Sequence, residues 1–311
     1  MAKILVLGSS NTDMTVRTAA LPRPGETLIG GDFVMGPGGK GANQAVAARR
    51  LGGDAALVCK VGRDMFGDNA ILHYEREGLD TRGILVSELP SGVALINVDA
   101  KGENCIVVAP GANMDLTEED IERVSDRIRE ADIDTVAPLI RAAGILLLQL
   151  EIPVPAVLKA ARIGHEAGAL VVLNPAPYAE VPAEMFRYVD LFIPNETELS
   201  AYAGLPVTDR ESALKAADVM VSRGVKTVIV TLGSKGSLIY DGRSVSDIGA
   251  FKVEAVDTTA AGDTYCGALC VALSEGRTLQ VAAVFASKAS ALSVTRPGAQ
   301  HSMPYRNEIN Y

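Results

Sequence analysis

The sequence has little of what metal, redox and nucleic-acid sites are built from. Its 311 residues include three histidines and four cysteines. His73, His165 and His301 share no cluster, which argues against a transition-metal site. Cys59, Cys105, Cys266 and Cys270 form no C-x-x-C, which removes a zinc ribbon and a vicinal redox pair. Buried free thiols in a reducing compartment are expected instead. Positive charge is also scarce, with 29 Lys and Arg against 38 Asp and Glu and a formal net charge of -9. A phosphate-backbone binder needs clustered Lys and Arg, so no nucleic-acid partner is expected. No hydrophobic run approaches the roughly 18 residues of a membrane span. The opening stretch MAKILVLGSS reads as a strand and turn, with neither the basic region nor the cleavage site of a signal peptide. A cytoplasmic protein with no membrane partner is the expectation.

Hydrophobic residues make up 48% of the chain, enough for a full core. Short apolar runs at 3–8, 55–62, 144–150, 169–175, 189–195 and 226–233 read as buried strands. Helical patterns lie between them, for example at 154–167, 208–223 and 262–275. This alternation predicts one α/β domain over residues 1–311, with a mostly parallel sheet covered by helices on both faces. Ligands bind such sheets beyond the carboxyl ends of the strands. Polar groups collect there: GSSNTD, QLE, NPAP, PNETE and TLGSKG each follow a strand. Two segments break the alternation. Residues 91–113 read as a hairpin turning at Asp99-Ala100-Lys101-Gly102, and 15–39 as extended pieces and turns. Together, over about 14–38 and 91–112, they predict a small β-sheet lid that closes over a substrate.

The stretch GPGGKGANQAVAARRLG, residues 36–52, sets five glycines around Lys40. Gly36, Gly38 and Gly41 match G-x-G-x-x-G. That fingerprint belongs between the first strand and first helix of a βαβ unit, with an acid about 20 residues on. Here the first strand is followed by GSSNTD, and Asp54 lies before a strand. A phosphate loop would need a glycine at position 34 and Ser or Thr at 41, but Val34 and Gly41 stand there. A third reading is a small-ligand site. Gly38, Gly39 and Gly41 let the backbone approach closely, Lys40 supplies a cation and Asn43 a two-way hydrogen-bonding group. A helix from about Ala42 presents its positive end, and Asn11 and Asp13 add groups suited to vicinal hydroxyls. A structural turn with a solvated Lys40 fits the same spacing.

The second half of the chain separates these readings. VDTTAAGDTYCGAL, residues 256–269, carries Asp257 and Asp263 around a small-residue turn that opens an apolar helix. Residues 260–263 would lie at the helix N-terminus, where unpaired N–H groups form an anion hole. Asp263 there suits a general base toward a hydroxyl attacking a phosphoryl group, or a plain helix cap.

With GGKGANQAVAA (38–48), NPAP (174–177), PNETE (194–198), TLGSKG (231–236), VDTTAAGDT (256–264) and VTRPGAQ (294–300) in this order, the chain resembles the ribokinase-like family of carbohydrate and nucleoside kinases. The resemblance implies ATP-dependent phosphorylation of the primary hydroxyl of a pentose, ribose above all. It implies sugar contacts at Asn11, Asp13, Gly39, Lys40, Asn43 and Glu151, with Asp263 as base and Ala260, Ala261 and Gly262 in the anion hole. It puts ATP and Mg²⁺ at Asn195, Glu198, Thr231, Leu232, Gly233, Ser234, Lys235, Gly236, Gly262 and Ser287. It puts a monovalent cation, usually K⁺, at Asp257, Thr259, Ser293, Arg296, Gly298 and Ser302, and implies a homodimer formed through the lids. Departures exist. Ala260 replaces a frequent Gly, Ser287 stands where relatives tend to carry His or Asn, and Gly111 to Glu151 looks long, suggesting an extra helical segment within 120–143. Plainer readings are a helix cap for Glu151, a cap and surface acid for Asn195 and Glu198, and an Asp257–Arg296 salt bridge. A nicotinamide oxidoreductase and a non-catalytic sugar binder are the rivals outside the family. Inside it they are kinases of deoxyribose, of a hexose or of a nucleoside.

Overall fold

The computed structural model describes residues 2–122 and 136–309. The strands in chain order are β1 (Ile4–Leu7), β2 (Asn11–Arg17), β3 (Phe33–Gly38), β4 (Ala55–Gly62), β5 (Asp80–Ser87), β6 (Gly92–Val98), β7 (Asn104–Ala109), β8 (Ile145–Leu148), β9 (Leu170–Leu173), β10 (Leu191–Phe192), β11 (Thr227–Thr231), β12 (Ser237–Tyr240) and β13 (Val245–Ile248). Nine form one sheet in the order β13-β12-β11-β10-β9-β8-β1-β4-β5. Pairing is parallel throughout except at β11-β12-β13, which turn back antiparallel at one edge.

Alternation along these strands builds two cores. Ile4 and Val6 of β1, with Leu57, Ile145, Leu147 and Val172, face one side. Leu5 and Leu7, with Val58, Leu146, Leu148 and Val171, face the other. Burying each such side chain contributes about 1.5–3 kcal/mol relative to leaving it in water. Because both faces are covered, these strands read as continuous apolar runs.

The helices are α1 (Lys40–Arg50), α2 (Met65–Glu77), α3 (Glu118–Glu122), α4 (Val136–Ala142), α5 (Val154–Glu166), α6 (Met185–Tyr188), α7 (Glu196–Ala203), α8 (Arg210–Ser222), α9 (Ala261–Ser274) and α10 (Leu279–Ser293). The first core takes its helical side chains from α1, α2, α9 and α10. The second takes them from α3 to α8. The alanines of α1 and the small residues of α9 are buried in the same core, so the two helices lie together and their N-termini converge on one site. The extra helical segment expected within 120–143 is only partly visible: α3 and α4 flank residues 123–135, which lie outside the described residues.

Four strands form a separate small sheet, ordered β3-β2-β6-β7. Its hairpin β6–β7 turns at Asp99–Gly102, where the Asp99 carboxylate accepts the N–H groups of Lys101 and Glu103. The sheet starts earlier than the expected lid range of 14–38, because Asn11 already pairs with Gly38 and Gly92. The polar sequence of this strand reads locally as a turn. Asn11 and Asp13 are therefore residues of the small sheet, which begins shortly after β1 ends.

Candidate active site

The N-terminus of α1 is built by close backbone approach. Gly39 has φ 88°, and a Cβ there would lie 2.8 Å from the Asn11 nitrogen. A Cβ on Gly38 would lie 2.1 Å from an Asp13 carboxylate oxygen, so only glycine lets that carboxylate fold over the paired strand. The helix starts at Lys40, ahead of its expected start at Ala42, and the Lys40 N–H donates to Glu151 Oε2 at 2.9 Å. The same oxygen accepts from Ser9 Oγ at 2.5 Å. Glu151 thus does cap a helix, but α1 from the end of β8, which fixes its carboxylate beside the Gly-rich turn.

The charges here are tightly coupled. Asp13 is pushed up to about 7 by burial first, then by Glu151 and Asp263. For Lys40, burial works against the charge, but Asp263, Glu151 and Glu198 outweigh it and hold the ammonium above its ordinary value. Lys40 is therefore half-buried among acids, not a solvated turn lysine.

Asp263 lies in the first turn of α9 and is buried. The N-cap is Ala260, at φ 59°, and no side chain caps the helix. Asp263 is thus not its cap. Its Oδ2 accepts from Asn43 Nδ2 at 2.9 Å, and its Oδ1 from Gln44 Nε2 at 2.9 Å. Asn43 is held in turn by Gln300 Nε2 at 3.1 Å. The first N–H groups of a helix have no intrahelical acceptors, and Ala260, Ala261, Gly262 and Asp263 all line one large cavity. The turn is braced by Ser290 Oγ, which donates to the Ala261 carbonyl at 2.9 Å.

That cavity measures about 940 Å³. It runs from Lys40 and Asp263 past Asn195, Glu198 and Thr231 to Gly233, Ser234 and Gly236, and on to Phe251, Val253, Ala291 and Val294. Ser287 lines it; Leu232 and Lys235 are not among its lining residues, and Lys235 pairs instead with Glu196. Asn195 caps α7 in a reciprocal box: its Oδ1 accepts from the Glu198 N–H at 2.8 Å, and Glu198 Oε2 from the Asn195 N–H at 2.9 Å. The plain capping role is thus present, on residues that also face the cavity. Burial raises Glu198, offset in part by the Asn195 N–H and Lys40.

Asp257 joins two loops. Its Oδ1 accepts from the Thr259 N–H at 2.9 Å and its Oδ2 from the Gly298 N–H at 2.8 Å. Burial is outweighed by these bonds, which hold the carboxyl below its ordinary value. Arg296 turns away to Glu308 at 2.5 Å, so the Asp257–Arg296 pair is not among the described salt bridges. Ser293 and Ser302 are buried nearby in sequence; their hydroxyls donate to the carbonyls of Ser290 and Ala299.

Sequence reasoning assigned no role to several buried amides. Gln44, Gln149 and Asn174 form a chain behind Asp263. Asn113 holds Asn11 Oδ1 at 2.7 Å and the backbone of Ser10. The signal existed for Gln149 and Asn174, which follow strands on the ligand side. None of these partnerships is encoded locally.

A large parallel sheet, a small second sheet and a helix-end carboxylate on a long polar cleft define a class of small-molecule phosphotransferase. The pfkB family carbohydrate kinase model matches residues 1–306, so the chain belongs to the pfkB family of carbohydrate kinases. Its similarity to individual members is equally extensive. It is 41% identical to a ribokinase of Haemophilus influenzae, over 98% of this chain and 96% of that one. It is 37% identical to a deoxyribokinase of Salmonella typhi, over 99% and 97%. The structure of Arabidopsis thaliana ribokinase complexed with ribose and ATP superposes with a TM-score of 0.86 at 34% identity, covering 98% of this chain and 96% of that one.

Proposed function

We propose that the chain transfers the γ-phosphoryl group of ATP to the primary 5-hydroxyl of D-ribose, giving ribose 5-phosphate and ADP. The observation that carries this reading is Asp263. It is buried at the N-terminus of α9, between the Gly-rich turn and the long cavity, with its carboxylate held by donors alone.

Sugar hydroxyls would meet Asn11, Asp13, Gly39, Lys40, Asn43 and Glu151. Asp263 accepts the proton of the attacking hydroxyl, since an ionised carboxylate has lone pairs beyond the two used here. The N–H groups of residues 260–263 meet charge on the transferring group, and removal of one such donor typically costs about 10²–10³ in rate. The nucleotide occupies the far end of the cavity, with phosphates along Thr231, Gly233, Ser234 and Gly236 and the base toward Phe251 and Ser287.

Asn195 and Glu198 fit Mg²⁺: they offer hard oxygen donors, and among the described hydrogen bonds Glu198 engages only Oε2. Bound there with phosphates and waters, the ion would neutralise phosphate charge. Asp257, free of any arginine partner among the described salt bridges, fits a monovalent cation such as K⁺, with oxygens near Thr259, Ser293, Arg296, Gly298 and Ser302. The small sheet acts as a lid, and one 1–311 domain carries both layers. Four free cysteines, with Cys105 exposed, suit the cytoplasm.

A second reading, deoxyribose as acceptor, is favoured by the Salmonella relative. One experiment addresses both: ADP release with ATP, Mg²⁺ and K⁺ over a panel of pentoses, hexoses and nucleosides, with the product identified by ³¹P NMR. Ribose should give the highest kcat/KM, and Asp263→Asn should lower kcat by at least about 10²-fold with an unchanged circular dichroism spectrum. Sugar-independent ADP release, or near-normal turnover by folded Asp263→Asn, would overturn the assignment.

A further inference from the structure

We infer that Gln44 is a positioning residue that orients the Asp263 carboxylate. The inference rests on Asp263 being the base. Gln44 is fully buried in α1, next to Asn43. Its Nε2 donates to Asp263 Oδ1 at 2.9 Å and to Asn174 Oδ1 at 3.0 Å, so both amide hydrogens are used. Its Oε1 accepts from Gln149 Nε2 at 2.6 Å.

The direction of this chain is fixed from its far end. Asn174 Nδ2 donates to the carbonyl of Ile193 at 2.9 Å. A backbone carbonyl can only accept, so Asn174 must turn its nitrogen to Ile193 and its oxygen to Gln44. Gln44 must then present nitrogen to both Asn174 and Asp263, and oxygen to Gln149. Gln149 must in turn present its nitrogen to Gln44. Among the described residues its own Oε1 is left buried with no partner, against Gly8, where a Cβ would come within 1.9 Å of it.

Buried polar atoms are ordinarily satisfied. The stranded oxygen follows from a polarity that ends as a donor on Asp263. With Asn43 on Oδ2 and Gln44 on Oδ1, the carboxylate plane is clamped by two adjacent residues of one helix. The clamp fixes which lone pairs of the carboxylate remain to face an attacking hydroxyl.

The test compares Gln44→Met, which removes the donor at similar volume, with Gln44→Glu, which keeps the shape but adds a like charge. Sugar-dependent ADP release is measured over sugar and nucleotide concentration beside wild type and Asp263→Asn. Loss of one hydrogen bond to a charged group predicts a fall in kcat of about 10- to 100-fold for Gln44→Met. KM for sugar and nucleotide should stay near wild type. The fall in kcat should be larger in Gln44→Glu, which sets an acceptor and a like charge against Asp263 Oδ1. Either folded variant with a kcat near wild type, or with a loss confined to KM, overturns the inference. If neither variant folds, Gln44 is a structural residue and the inference also fails. An inactive wild type, or an active Asp263→Asn, would instead remove the base assignment beneath it.

Discussion

Asp13 carries the sharpest consequence at the scale of a residue. Its folded value of about 7, against 3.8 ordinarily, comes from burial beside Glu151 and Asp263. A carboxyl raised on folding binds its proton more tightly in the native chain than in the unfolded one. Its contribution to stability is therefore present at low pH and is lost as pH rises between about 4 and 7. Sugar hydroxyls donate to a carboxylate, so sugar binding favours the ionised form and reverses this preference. Binding at pH 6 should release up to about one proton, and affinity should weaken by about tenfold per unit as pH falls below 7. Calorimetry in two buffers of different ionisation enthalpy reads the proton count directly. An apparent enthalpy that is the same in both buffers would show that Asp13 does not titrate with the ligand.

At the scale of elements, the decisive pieces are two helix starts and the loops behind them. Asp257 ties the turn before α9 to the 293–302 loop through the N–H groups of Thr259 and Gly298. A monovalent ion there would steady the first turn of α9 without touching substrate. Activity in Tris buffer at matched ionic strength should be highest with K⁺, and Asp257→Ala should abolish the activation while Mg²⁺ stays essential. Equal rates with K⁺, Na⁺ or neither would remove the cation from the reading. The large sheet was legible because apolar runs buried on both faces announce themselves, as ILVL of β1 and ILLL of β8 do. The strand β2 was not, because NTDMTVR is polar and its role depends on partners β3 and β6. Asp263, Lys40 and Asn43 were legible from motifs. Gln44, one residue from Asn43, was not, because its partners Gln149 and Asn174 lie 105 and 130 positions away. Pairings of that range exist only in three dimensions.

For the whole molecule, the small sheet presents an unusual surface. Every residue of β7 is exposed, including Ile106, Val107 and Val108, with Leu95 exposed on the adjacent β6 and Phe33, Val34 and Met35 on β3 at the opposite edge. β7 is also an edge strand, with one ladder open. Such edges recruit another chain unless they are covered. A second copy docked lid to lid would bury this patch, so the protein should sediment as a dimer at micromolar concentration. Val107→Asp should shift it to monomer, and a monomeric wild type would exclude the arrangement.

The backbone wall at Gly39 separates ancestry from activity. The space a side chain would need at Gly38 is taken by the Asp13 carboxylate, and at Gly39 by the backbone of Ser10 and Asn11. Steric exclusion of this kind does not depend on turnover. A descendant that had lost Asp263 would still be selected to keep Gly39 for as long as it kept this strand against this helix, and Gly38 only for as long as it kept Asp13. Gly39 therefore certifies lineage, and a pseudoenzyme would display it as faithfully as a working kinase, whereas Gly38 follows the fate of the Asp13 carboxylate.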